Sequence, residues 1–436
     1  MMRFLLMAWI AVAAFPAYAE SDIQVVTSPG GIRAWLVEEK SIPFTALEIR
    51  FRGGTILDEP GKRGAINLMT GLLEEGAADL DSTGFSEARE SLAAYFSYRS
   101  YNDTLSISAR FLTENRAEAV ALLKSSIMQP NFNQVDIDRV REQVLSGLRS
   151  EATDPGDIAS SRFDMLAWGD HPYATNESGT VESLNSLTRQ DIVAAHQAVF
   201  ARDRVYVSAV GDISADELGQ LMDELLGDLP ELGAPDVKRA TYQLTGGVTV
   251  VPFDTPQSVA LFGHQGITRD DPDFLIAYVL NEVLGGSGLD SRLMTEVREK
   301  RGLTYGISSF LLPMDYGELI MGQVRSDNSR MAETIQVIKQ EWAKIAEFGL
   351  TEEELAEAKT YLTGAYPLRF DGNAPIAKIM VGMQMTGLPV DYIASRNDKV
   401  NAVTMEEIQR VAKRIYQPDN LHFVVVGQPD DVVSTN

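Results

Sequence analysis

The chain contains no cysteine, which excludes disulfides, thiol nucleophiles and zinc sites built on sulfur. Histidine is nearly as scarce. His171, His196, His264 and His422 are the only four in 436 residues, and no two of them share a helical spacing. Positive charge is also short: 38 Lys and Arg stand against 62 Asp and Glu, a formal net charge of −24. So acidic a chain repels phosphate backbones, which argues against nucleic acid as a partner. Most of the carboxylates read as a solvated surface, and attraction of basic peptides stays open. Beyond the first nineteen residues no apolar run approaches the roughly 20 residues that span a bilayer.

Those first nineteen residues read as a leader. Arg3 forms a positive n-region, Phe4 to Phe15 is an almost unbroken apolar run, and Ala17-Tyr18-Ala19 is a small-x-small cleavage signature. The expectation is export to the periplasm, cleavage after Ala19, and no membrane insertion afterwards. What remains is long enough for two to four domains. The lack of disulfides is compatible with that compartment, because a large core does not need such staples.

Laid over itself, the chain is written twice. Pro43 precedes the alternating stretch Thr45 to Phe51, then Asp58, Pro60 and a helical run to Leu73; Pro256 precedes Ser258 to His264, then Asp270, Pro272 and a helical run to Leu284. Near the end of each half, Leu187-Thr188-Arg189-Gln190-Asp191-Ile192 parallels Val403-Thr404-Met405-Glu406-Glu407-Ile408. Both look like capping boxes with an apolar staple. Each of these helices leads to a β-rich run, Val205 to Gly211 and Leu421 to Gly427. The spacing predicts strands over Val248–Val251, Val259–Gly263 and Leu303–Phe310, and helices over Phe274–Leu284, Ser329–Phe348 and Glu352–Tyr366. The fold expected is α+β: two homologous αβ domains, each a mixed sheet flanked by helices. The domains would span 20–230 and 244–436, with 231–243 as a Pro- and Gly-punctuated linker.

The duplicated unit, the segment Leu284-Gly285-Gly286-Ser287-Gly288-Leu289-Asp290-Ser291-Arg292-Leu293, and Arg298-Glu299-Lys300-Arg301-Gly302-Leu303-Thr304-Tyr305 resemble the insulinase/pitrilysin family of zinc metallopeptidases. The resemblance covers essentially the whole chain after the leader and implies a clamshell-like arrangement around a chamber for unfolded peptides. Family enzymes carry His-x-x-Glu-His on the first long helix of a catalytic half, and that chemistry needs two imidazoles, a later acid ligand and a glutamate base. The matching segment here is Asn67-Leu68-Met69-Thr70-Gly71. Asn67 and Gly71 replace the histidines and Thr70 replaces the glutamate. Gly147 and Leu148 stand about where the distal acid belongs. Glu74 and Glu75 have no imidazole beside them. No metal site is expected in this chain.

In the family, an Arg and a Tyr at the spacing of Arg298 and Tyr305 reach a zinc site across the cavity and hold the substrate carbonyl and its developing oxyanion. A guanidinium and a phenol suit that task, as donors with no competing acidity at neutral pH. The bland alternative pairs Arg298 with nearby Glu296 or Glu299 and makes Tyr305 an ordinary strand aromatic. The glycine segment lacks the lysine of a phosphate loop and reads as a sharp turn, and Met380, Met383 and Met385 read as core. Metal lost but Arg and Tyr kept implies a subunit that is no enzyme on its own. A homologous partner would carry the zinc, and the pair would hydrolyse peptides. The rival expectation is a non-proteolytic structural or peptide-binding protein.

Overall fold

The computed structural model describes residues 23–286 and 290–435. The leader, and Ser287, Gly288 and Leu289 of the glycine segment, lie outside the described residues.

Thirteen strands are present among the described residues. The first half contributes β1 (Gln24–Thr27), β2 (Arg33–Glu38), β3 (Phe44–Arg52), the short hairpin β4 (Gly76–Ala77) and β5 (Leu80–Asp81), β6 (Tyr95–Ser100), β7 (Thr104–Leu112) and β8 (Val205–Gly211). The second contributes β9 (Gly247–Pro252), β10 (Gln257–Gln265), β11 (Ile307–Pro313), β12 (Glu318–Asp327) and β13 (His422–Gly427). The sheets run β1-β2-β8-β3-β7-β6 and β11-β12-β10-β13-β9. Without β1, the first is the second in another register of the chain. In each, the only parallel pair is the opening strand with the closing one, β2 with β8 and β9 with β13. The duplication read from the sequence is thus a duplication of topology.

Helices follow a shared order in both halves. They are α1 (Ala65–Gly71), α2 (Ser82–Ser91), α3 (Arg116–Met128), α4 (Gln134–Glu151), α5 (Pro155–Trp168), α6 (Val181–Ser186), α7 (Arg189–Val199) and α8 (Ala215–Leu226) in the first half. In the second they are α9 (Phe274–Gly285), α10 (Met331–Phe348), α11 (Glu352–Ala365), α12 (Asn373–Met385), α13 (Tyr392–Ala402) and α14 (Met405–Ile415). Helices α2 and α8 of the first half lack a counterpart in the second. Both expected capping boxes form, with Thr188 and Asp191 opening α7 and Thr404 and Glu407 opening α14. The apolar residues flanking each box, Leu187 with Ile192 and Val403 with Ile408, are all buried. None of the described helices is long and apolar enough to cross a membrane.

Strand β3 shows why each sheet has two different faces. Leu47, Ile49 and Phe51 are fully buried against the helices of their own half, while Glu48, Arg50 and Arg52 point the other way, as period-2 alternation requires. The second face is covered by exchange. Helix α12, from the second half, packs on β3 and β8 of the first sheet; α5, from the first half, packs on β10 and β13 of the second. These two helices occupy equivalent places in the duplicated order. Ile376, Ala377, Met380 and Met383 of α12 fill the space beside Trp35, Val37, Ala46 and Val210, which places Met380 and Met383 in a core. Phe163 and Ala167 of α5 share a core with Leu261, Val424 and Val426. Each half therefore completes the other, consistent with a two-domain clamshell whose leaves are stitched together.

A second tie is the β11–β12 turn. The Tyr173 hydroxyl donates to Asp103 Oδ1 at 2.5 Å, the Asp315 amide donates to Asp103 Oδ2 at 3.1 Å, and the Tyr316 amide donates to the Tyr173 oxygen at 3.1 Å. Gly317 lies flat on the Trp168 ring, where a Cβ would stand 2.8 Å from a ring carbon.

Candidate functional site

Helix α1 carries Asn67, Thr70 and Gly71, the positions that the resemblance sets against the family's metal motif. It is short, and its start is fixed by Gly64 in the left-handed region (φ +92°). Asp58 accepts from the Gly64 and Ile66 amides, both at 2.8 Å. Burial pushes the Asp58 carboxyl up to about 6, against those amides and Arg63. On this helix the Thr70 hydroxyl turns back onto the Ile66 carbonyl at 2.7 Å and is buried. The Asn67 amide donates to Ser100 Oγ at 3.3 Å. Gly71 offers no side chain, and a Cβ there would meet Val140 Cγ1 of α4 at 3.0 Å. Further along α4, Gly147 faces open space. The residues present do not fit a zinc ion: one hydroxyl is spent on its own helix, one amide on a serine, and two positions are bare.

The neighbouring acids are committed elsewhere. Glu74 pairs with Arg89, and Glu75 with Arg139 and Ser82. Burial drives both carboxyls upward; it prevails at Glu74, whereas Arg139 and Ser82 outweigh it at Glu75 and hold that group low. Nor are the histidines available as ligands. His171 and His196 each donate Nε2–H to a carbonyl, Lys238 at 2.9 Å and Ile127 at 2.7 Å. His422 donates from Nδ1 to the Thr245 carbonyl at 2.9 Å, and its Nε2 accepts from Thr249. His264 is wholly buried: Nδ1 donates to Gln265 O at 2.7 Å, and Nε2 accepts from the Trp342 indole at 2.9 Å. Burial lowers its pKa to about 4, so it stays neutral. Among the described residues, no group of three or more His, Cys, Asp or Glu is placed to hold a metal ion.

Arg298 and Tyr305 lie in the second half, and no hydrogen bond or ion pair joins them to Asn67, Thr70 or Gly71 among the described residues. Arg298 sits in a wide, π-type turn, Met294–Glu299, in which the Lys300 amide reaches the Thr295 carbonyl five residues back. Val297 and Leu303 are buried and joined by a 2.9 Å backbone bond, so they anchor the turn from below. Gly302 then turns the chain at φ +60°. Glu296 takes both Lys300 (2.6 Å) and Arg301 (2.7 Å). The bland pairing expected for Arg298 is therefore not made, and Arg298 has no ion pair among the described residues.

The strand expected from Leu303 starts instead at Ile307. Thr304 is the cause: its hydroxyl donates at the Arg325 and Gly306 carbonyls (2.6 and 2.8 Å) and accepts from the Gly306 amide, closing a local bend that competes with the ladder. Tyr305 stands at the crest of that bend with 87% of its surface exposed. It is not a strand aromatic. Thr304 and Glu296 were missed as positioning residues, although an Ser/Thr two residues before a glycine is a legible turn signal. What the arrangement supplies is one phenol presented to solvent and one half-buried guanidinium without an ion pair among the described residues, both of them donors.

Residues 186–362 match the family described as Peptidase M16 inactive domain. The chain is 25% identical over 391 residues to the non-peptidase homolog YmxG of Helicobacter pylori, covering 89% of this chain and 90% of that one. It is 24% identical over 410 residues to an uncharacterized zinc protease of Streptomyces coelicolor, covering 90% and 87%. Among solved structures, a peptidase M16 inactive domain from Pseudomonas fluorescens superposes with a TM-score of 0.88 at 27% identity, over 95% of this chain and all of that one. A protease from Helicobacter pylori shares the fold, with a TM-score of 0.83 at 16% identity, over 92% of this chain and 98% of that one.

Proposed function

Because residues 186–362 match the Peptidase M16 inactive domain and the chain resembles M16 proteins over most of its length, we propose that it is the zinc-less subunit of a two-subunit peptidase. The partner would be a homologous, similarly exported protein with His-x-x-Glu-His intact, and the assembly would act on peptides in the periplasm. The partner's metal supplies the activated water in such a pairing. This chain contributes donors in trans: Arg298 toward the substrate's backbone carbonyl and Tyr305 toward the oxyanion as it forms.

The observation that carries the reading is a contrast within one chain. The metal positions have lost their ligand chemistry, whereas Tyr305 is held out to solvent by a bend that Thr304 fixes, and Glu296 pairs with Lys300 and Arg301 rather than with Arg298. A guanidinium and a phenol kept available serve a substrate better than they serve the fold. The test is reconstitution with the zinc-bearing partner. Arg298→Ala and Tyr305→Phe should each lower kcat of the mixture, on the order of 10²-fold, if they act on the transition state. Unchanged rates in both would remove the assignment.

A second reading is favoured by the name of one relative, a non-peptidase homolog: a structural or peptide-binding protein that takes no part in hydrolysis. A neighbouring gene for an exported protein of similar size with His-x-x-Glu-His separates the two, since only the first reading requires it.

A further inference from the structure

The second sheet ends on β9, and that edge is closed by residues near the C-terminus. In its parallel pairing with β13, β9 turns alternate amides toward its neighbour, as when the Gly247 amide donates to the Leu421 carbonyl at 3.3 Å. The amides of Val248 and Val250 point the other way. Each is taken by a hydroxyl: Val248 N–H donates to Thr435 Oγ1 and Val250 N–H to Ser434 Oγ, both at 2.9 Å. The third outward position is Pro252, which has no amide to offer. In return the Thr435 amide donates to the Val248 carbonyl at 2.9 Å. A Cβ at Gly247 would stand 2.4 Å from Thr435 Oγ1, so the segment lies hard against the edge.

This segment occupies the place that β1 holds in the first sheet, outside the strand that pairs in parallel with the closing one. Both run antiparallel to the strand they cover. The attachment differs. Strand β1 pairs with β2 through four consecutive residues, Gln24 to Thr27. The C-terminal segment is joined to β9 by one backbone bond and two hydroxyl side chains, after a turn at Asp431 with φ +57°. Val432 packs against the second core, while Val433 is exposed. Val250 and Val251 also line a groove of about 800 Å³, shared with Leu148, Ile158 and Met165 of the first half. With the segment lifted, β9 presents free amides and carbonyls beside apolar ground, an arrangement that recruits another strand.

We propose that residues 432–435 form a detachable strap, and that lifting it lets β9 pair with the β9 of a second copy of this chain. The edge is self-complementary: about a two-fold axis, the outward amides and carbonyls of Val248 and Val250 in one copy meet those of the other. Pro252 confines that pairing to a short stretch, so a strap held by a few bonds competes with it. The inference concerns the chain's association with itself and stands apart from any zinc-bearing partner.

Ser434→Ala combined with Thr435→Pro, in the full chain, removes all three bonds and leaves both cores untouched. At low concentration, hydrogen exchange should quicken about tenfold or more at Val248 and Val250. It should stay as in the parent at Thr249 and Val251, whose amides face β13. Sedimentation equilibrium should show a concentration-dependent dimer for the variant and a weaker one or none for the parent, and in that dimer Val248 and Val250 should be protected again. Adding Val250→Pro takes away an outward amide and should restore the monomer. If that variant folds poorly, as its thermal transition will show, protection of Val248 and Val250 in the dimer still decides. Unchanged exchange in the strapless variant, a variant no more dimeric than the parent, or a dimer whose Val248 and Val250 amides stay unprotected, overturns the proposal.

Discussion

Asp164 gives the sharpest energetic prediction. Its carboxyl is raised from an ordinary 3.8 to about 7 by burial alone. Such a rise corresponds to about 4 kcal/mol against the charged form. The group lines an open cavity, however, and water there screens part of the cost, so about 1–2 kcal/mol is expected at pH 8. The sign follows from proton counting. A carboxyl whose pKa is higher folded than unfolded binds more protons when folded, so its contribution is fully present below about pH 4. It is lost as pH rises through about 7. Asp164→Asn keeps the shape and abolishes the charge. The variant should therefore unfold at a higher temperature than the parent at pH 8, with the gap closing as pH falls through this window. Differential scanning calorimetry in a pH series measures it. A gap that is negative at pH 8, or that does not change with pH, would refute the reasoning.

Met380→Ala, in the helix lent to the first sheet, should cost about 2–4 kcal/mol. Because α12 joins the halves, the loss should appear in one shared unfolding transition; a shift confined to one of two transitions would contradict the exchange. Trp342→Phe removes the nearer donor to buried His264 Nε2, leaving only the Gln417 amide at 3.4 Å, and should cost about 1–3 kcal/mol by denaturant titration, more than removal of an exposed tryptophan could. Thr404→Ala removes a capping box and should cost about 1 kcal/mol by denaturant titration; an unchanged stability would contradict the box's role. Restoring the motif by Asn67→His, Thr70→Glu and Gly71→His together should still leave zinc weakly held, since Gly147 supplies no distal acid and Val140 crowds position 71; stoichiometric zinc after dialysis would contradict this.

Much of the fold was legible because its signals are local. Period-2 runs, capping boxes and a repeated order of landmarks need no knowledge of distant partners, and α7, α10, α11 and α14 lie where spacing puts them. The loss of ligand chemistry at Asn67, Thr70 and Gly71 was equally plain, since residue type alone decides whether a side chain can bind a metal. Helix exchange was not legible. The apolar faces of α5 and α12 say that each must pack on something, and nothing in Phe163 or Met380 says which sheet. The charges at Glu48 and Arg50 were a missed clue, because two ions alternating with Leu47, Ile49 and Phe51 mark a sheet face that no ordinary core covers. At Tyr305 the β-rich composition competed with Thr304, and a hydroxyl closing its own turn won.

The most direct test is a paired measurement of metal content and peptide hydrolysis, on the purified chain alone and after mixing with a zinc-bearing partner. The account predicts no bound zinc and no cleavage for the chain by itself, and cleavage in the mixture that collapses when Arg298 and Tyr305 are both replaced. One tightly held zinc per chain with hydrolysis by the isolated protein would contradict it.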